Sequence, residues 1–230
     1  MYVATKNVPS KTSNPAKIKI DQTVLENVDN FKYLGSVKSS DGSCKKDINA
    51  RIAMAKQSMT QLNNIWKDRS IPISLKYKLL KSLVWPKMLY GCETWTMKKA
   101  DEKKVEAAEM WFYRRLLRVS WTERKTNESV LAEMNTKRTM LSVIKKRKLK
   151  YIGHASRNKH ADLMKTVFQG KMESKREKGR PSISYIDTVS RSLGLKLQSI
   201  SQDSQDRDKW RRIVSSTCAA ANIENDDADR

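Results

Sequence analysis

A chain of 230 residues is long enough to bury a core, as one large domain or two small ones. Its 47 Lys and Arg against 25 Asp and Glu give a formal net charge of +22, which repels itself in isolation and calls for a polyanionic partner, nucleic acid ahead of an acidic membrane. No apolar run reaches the roughly 18 residues of a membrane span. The first residues lack the apolar core of a signal peptide, and Cys44, Cys92, Cys218, His154 and His160 are too scattered for a zinc site or a disulfide framework. The expectation is a soluble, intracellular chain with no metal or cofactor of its own.

Residues 1–16 are polar with two prolines and read as a flexible leader. KIKI (17–20), TVLENV (23–28) and FKYLGSVK (31–38) are β-prone runs separated by the turn formers Asp21-Gln22 and Asp29-Asn30. FKYLGSVK reads as one half-buried strand, because Phe31, Tyr33 and Val37 alternate with Lys32 and Lys38. From Ser43 the period becomes helical. Ile48, Ile52, Ala55, Met59, Leu62 and Trp66 form one apolar stripe, with Lys45, Lys46, Arg51 and Lys56 off it. Ser74 is the expected cap of a second helix carrying Leu75, Leu79, Leu80, Leu83 and Val84, which Pro86 must kink or end. A third helix over about 101–119 places Val105, Ala108, Phe112, Leu116 and Val119 on one side, and Arg114, Arg115 and Arg118 largely on others.

Beyond Trp121 the chain turns more basic. Thr126 caps a short helix, and a longer one runs from Lys137 to Ile152, where Gly153 is expected to end it. From Lys137 to Arg180 there are 15 Lys or Arg and 3 Asp or Glu, so +12 of the charge lies in this stretch. Its end, GKMESKREKGRP, reads as a mobile basic loop with Lys175, Arg176, Lys178 and Arg180. Helices over about 182–193 and 205–221, the last with Trp210, Ile213, Val214 and Cys218 inward, precede an acidic tail.

Enzymatic signals are scarce: no nucleophile elbow, phosphate-binding glycine loop or paired carboxylates with a common site. The basic signals point to polyanion binding. A helix with lysines on its outer face is ordinarily only solvated, but KKRKLK (145–150) carries five charges in six residues with no acid within four positions. That density favours phosphate contacts by Lys145, Lys146, Arg147, Lys148 and Lys150, and it doubles as a nuclear import signal, so the expected location is nuclear, otherwise cytoplasmic. Trp66, Trp111 and Trp210 lie on or beside apolar stripes and read as core or inter-helix anchors. Tyr33, Tyr151 and Tyr185, with cations or glycine nearby, are the candidates for stacking on bases. His154, near a helix end, reads as a structural hydrogen-bonding residue.

Eight strings in order carry a wider pattern: FKYLGS (31–36), INARI (48–52), LLKSLVWPKMLYGCETWT (79–96), EMWFYRRLLRVSW (109–121), TNESVL (126–131), YIGHASR (151–157), GRPSISYID (179–187) and DRDKWRRIV (206–214). Together they resemble the C-terminal third of reverse transcriptases of non-long-terminal-repeat retrotransposons, over roughly residues 17 to 215. The resemblance implies that FKYLG is similar to the primer-grip hairpin, with Tyr33, Leu34 and Gly35 at its matching positions, and that the following helices look like the thumb that clamps template and primer. The metal-binding aspartates of the palm and the endonuclease have no counterpart here. The chain therefore reads as a fragment or truncated copy, with magnesium expected only alongside the missing palm.

The expected fold is mainly α: a helical thumb-like bundle plus C-terminal helices, with a short N-terminal β-hairpin or meander. The expected divisions are 1–16 leader, 17–42 β element, 43–125 thumb-like region, 126–222 basic C-terminal region and 223–230 tail. RNA or DNA, and the palm domain, are the expected partners. Lys45, Lys46, Arg51, Lys56, Arg114, Arg115, Lys145, Lys146, Arg147, Lys148, Lys150, Tyr151, Arg157, Lys175, Arg176, Lys178 and Arg180 are the expected nucleic-acid contacts. The alternative reading is a protein-interaction scaffold from a domesticated or truncated retroelement copy, or a fragment without function.

Overall fold

A computed structural model describes residues 19–20, 23–158, 185–194, 200 and 202–219. The leader, the basic loop with Lys175, Arg176, Lys178 and Arg180, and the acidic tail lie outside the described residues, and Cys218 has no described side chain. The fold is mainly helical with short antiparallel strand pairs at the start, as expected. It divides into two compact units, Met1–Gly91 with Met97–Thr136, and Cys92–Thr96 with Lys137–Arg230.

In the first unit, β1 (Lys19–Ile20) pairs with β2 (Thr23–Val24), so only the start of TVLENV is strand. FKYLGSVK is not a single strand. It folds on itself as a hairpin of β3 (Asn30–Tyr33) and β4 (Ser36–Ser39), with Tyr33 opposite Ser36. The reason is the turn: Leu34 at φ +46 and Gly35 at φ +80 are both left-handed. Two such residues make the tight turn whose twist matches that of paired strands. Asp41 then accepts from the Ser43 amide at 2.9 Å, turning the chain into α1 (Lys45–Gln61).

The apolar stripe of α1 continues into α2 (Asn63–Lys67) across a break at Leu62, and Ile48, Ala55, Met59 and Trp66 are buried in the core. Pro72, and not Ser74, starts α3 (Ile73–Leu79): its carbonyl accepts from Leu75 and Lys76, each at 3.1 Å. Pro86 neither ends nor sharply separates the helix. A π-helical turn over Leu80–Val84 widens the coil ahead of it, and α4 (Trp85–Met88) follows with the proline in its first turn, where a missing amide hydrogen costs nothing. α5 (Lys99–Leu116) buries Val105, Ala108, Phe112 and Leu116. It ends in a Schellman closure, Val119 to Arg114 at 2.9 Å and Arg118 to Arg115 at 3.2 Å, with Arg118 at φ +61. Thr126 caps α6 (Asn127–Glu133) through the Ser129 amide, as expected.

In the second unit α7 (Met140–Arg157) runs straight through Gly153 instead of stopping there. The glycine is needed for packing: a Cβ at this position would lie 2.3 Å from the Trp210 ring. Trp210, on α9 (Arg207–Ala219), also donates its indole N–H to the Leu149 carbonyl at 2.9 Å. Leu149, Ile152, Val189, Ile200, Trp210 and Val214 form the core here, with α8 (Tyr185–Leu193) contributing Val189.

Candidate nucleic-acid interface

The hairpin turn is held from behind and open in front. Tyr90 donates its hydroxyl to the Leu34 carbonyl at 2.9 Å, Arg51 donates to the Gly35 carbonyl, and the Val37 amide donates to Asp47 Oδ1 at 2.9 Å. Arg51 also lies 4.3 Å from the Tyr90 ring centre, so the guanidinium is sandwiched between backbone and aromatic face. With the turn fixed through its backbone, Leu34 is 75% exposed and Tyr33 58%. Lys46 reaches the same hairpin, donating to Asn30 Oδ1 at 2.6 Å. Of the α1 cations, Lys45 and Lys56 are exposed, Lys46 is exposed but tied to the hairpin, and Arg51 is buried.

Further along the same unit, the end of α5 and the end of α2 enclose a groove of about 400 Å³ lined by Asn63, Trp66, Lys67, Trp111, Arg114, Arg115, Arg118, Val119 and Ser120. Four cations and no carboxylate form this lining. Each arginine is anchored to a neutral oxygen: Arg114 to the Lys125 carbonyl at 2.8 Å and Asn127 Oδ1 at 3.0 Å, Arg115 to Asn63 Oδ1 at 3.2 Å, and Arg118 to the Lys67 carbonyl at 3.3 Å. Arg115 Nε is buried without a hydrogen-bond partner. Neutral anchors orient a guanidinium without cancelling its charge. Trp111, which reads in sequence as a core or inter-helix anchor, is half-buried in the groove, with Lys56 at 5.2 Å and Arg115 at 5.6 Å from its ring centre. Trp66 and Trp210 are buried, in keeping with their apolar positions.

In the second unit the basic run on α7 is split by the helical turn. Lys148 is buried and donates its ammonium to the Trp95 carbonyl, and Arg147 lies 3.9 Å from Glu93, an acid distant in sequence. Lys145, Lys146 and Tyr151 are half-exposed and Lys150 exposed. Arg157 donates to the Ser204 carbonyl at 2.8 Å. Tyr185 donates its hydroxyl to the Glu93 carbonyl, and burial raises its pKa, so this ring packs inside the unit. His154 is exposed. Burial likewise pushes the Cys92 thiol up to about 12, leaving it protonated and unreactive.

Lys67 and Arg118, which are not among the contacts expected from the sequence, complete the groove. Arg118 carries a signal, since it continues the off-stripe pair Arg114 and Arg115; Lys67 carries none, because only the fold brings the end of α2 to the end of α5.

The chain is similar to a transposon-derived protein of Caenorhabditis elegans, 25% identical over 224 residues that cover 91% of this chain and 80% of that protein. This likeness supports a transposon origin. No protein-family model matches the chain, and no solved structure matches it. Among the described residues no group of three or more His, Cys, Asp or Glu could hold a metal ion, and no helix is long and apolar enough to cross a membrane.

Proposed function

We propose that this chain is the nucleic-acid-binding, thumb-like part of a retroelement reverse transcriptase, gripping phosphates of a template, primer or target strand. The carrying observation is the groove with Lys67, Arg114, Arg115 and Arg118 in its lining and no carboxylate among them. The helix ends that meet there carry partial negative charge, which is small against the four cations of the lining. The net charge of +22 and the transposon-derived relative support the same reading. Binding of this kind is phosphate-directed and weakly sequence-specific, because each neutralised phosphate releases a counterion.

The test is the salt dependence of binding to single strands and to an RNA–DNA hybrid. The expected slope of log K against log salt is steep, and charge reversal at Lys67 and Arg118 flattens it by about two contacts, on the order of 0.7 to 0.9 each. A salt response that is flat in the parent chain overturns the reading. The thumb assignment has its own test: adding the chain to a separately expressed palm domain should raise primer extension.

A second reading, a protein-docking surface, is favoured by the exposed Ile20, Val24, Tyr33 and Leu34 at the β elements. The palm is the partner this reading names. Ile20→Ser, which adds no charge and lies outside the hairpin turn, is expected to weaken association with that palm domain while leaving nucleic-acid affinity unchanged.

A further inference from the structure

We infer that the groove at the end of α5 is a site for one nucleotide of a single strand, with its phosphate among Arg114, Arg115 and Arg118 and its base against Trp111. The inference rests on the phosphate-directed reading above and adds a ligand class to it. At about 400 Å³ the groove has the dimensions of a small-molecule pocket. A duplex keeps its bases stacked inside and can offer such a pocket only phosphates, whereas a single strand offers a phosphate and an aromatic face together.

The lining matches both parts. Arg114, Arg115 and Arg118 come from one helix end and Lys67 from another, so the cations surround the space from two sides. Their hydrogen bonds go to carbonyl and amide oxygens, which leaves guanidinium N–H groups for an incoming anion. The Schellman closure fixes Arg118 at the rim by backbone geometry and not by packing. Trp111 supplies the apolar platform. Of the two cations on its ring, Lys56 is the exposed one, and a base that stacks on the indole displaces its ammonium toward the adjoining phosphate.

An arginine cluster at a helix C-terminus is ordinarily explained by the helix dipole alone. That explanation covers Arg114, Arg115 and Arg118, and Lys67 in the last turn of α2, but neither the convergence of the two helix ends on one groove nor the half-buried indole in its lining.

The experiment measures binding of the full chain to a labelled single-stranded oligonucleotide and to the same sequence as a duplex. The variants are Trp111→Leu, Arg118→Gly and Lys67→Ala, with Arg211→Ala, whose guanidinium is paired with Asp208, as the reference cation in the second unit. Arg118→Gly is the variant least able to unfold the protein, because glycine suits the left-handed position that Arg118 occupies. The parent is expected to prefer the single strand. Trp111→Leu should weaken single-strand binding about tenfold and duplex binding less than about twofold. Arg118→Gly should weaken single-strand binding and lower its salt slope by about 0.7, with an unchanged or raised melting temperature. If Trp111→Leu affects both ligands alike, or neither, the nucleotide site is wrong while the phosphate-directed reading stands. If no nucleic acid binds at low salt, that reading fails and the site fails with it.

Discussion

Gly153 shows how one missing side chain organises a unit. Alanine is the better helix former by roughly 1 kcal/mol, so Gly153→Ala would stabilise an isolated α7. In the folded chain the added Cβ meets the Trp210 ring at 2.3 Å and Arg157 at 3.1 Å. The ring cannot retreat cheaply, because its N–H is bonded to Leu149 and it is 3% exposed. Overpacking of this sort costs about 1–3 kcal/mol and outweighs the propensity gain. The expected outcome is a lower melting temperature for the second unit, read from calorimetry, and a rise would mean that α9 packs elsewhere. Leu34 gives the opposite sign. A leucine held at φ +46 is strained by about 1–2 kcal/mol relative to a residue that tolerates this region. Leu34→Asn should therefore stabilise the hairpin by about 1 kcal/mol, since the side chain is 75% exposed and loses little packing. Chemical denaturation measures it. The local backbone would be better served by asparagine, so what leucine adds at this position is exposed apolar surface.

Among elements, the hairpin and α1 are joined by Asp47, Arg51 and Tyr90. Asp47 and Arg51 are 2% and 7% exposed, and their charged atoms lie 4.0 Å apart. Removing one member of a buried pair leaves the other charge without compensation, at a cost of about 3–5 kcal/mol. Arg51→Ala is expected to show a loss in that range, together with faster hydrogen exchange at the Val37 amide, which bonds to Asp47. Normal exchange at Val37 in that variant would show that the hairpin is held by its own pairing alone. The start of α9 has a pH-dependent counterpart. Asp206 accepts from the Lys209 and Asp208 amides, which lower its pKa below the ordinary 3.8. A lowered carboxyl stabilises the fold above the ordinary value, and that contribution drains as pH falls through the folded one. Amides at the start of α9 should therefore lose exchange protection in acid, and Asp206→Asn should blunt the change.

These elements also show what a sequence can and cannot convey. The α1 stripe and the buried face of α5 are legible because helical periodicity is local. From its alternation alone the hairpin reads as one strand, because a leucine occupies a turn position that usually advertises itself with Asn or Gly; the hairpin is implied by the family resemblance and not by the residues' period. Lys148 and Arg51 look like solvent-facing cations in sequence, and only the carbonyls of Trp95 and Gly35, far away along the chain, show where their protons go. The groove is half legible: Arg114 and Arg115 can be picked out, while Lys67 and the exposure of Trp111 depend on how α2 meets α5.

For the whole molecule, a net charge of +22 sets two salt responses of opposite sign. In the free chain the cations repel one another, and raising salt shortens the screening length to about 10 Å at 0.1 M, which relieves that repulsion. The melting temperature of the free chain should therefore rise with salt. Binding of a polyanion moves the other way, since added salt reduces the gain from counterion release. With an oligonucleotide present at about one hundred times its dissociation constant, linkage adds about 2.7 kcal/mol at low salt. The bound and free melting curves should consequently converge as salt increases, the bound one falling toward the rising free one. Because the chain has two compact units, each is followed by its own probe and not by a single midpoint. The first unit, which holds the groove, should show the larger ligand-induced shift at low salt. An equal shift in a Lys67→Glu, Arg118→Glu variant would place the dominant phosphate contacts outside the groove.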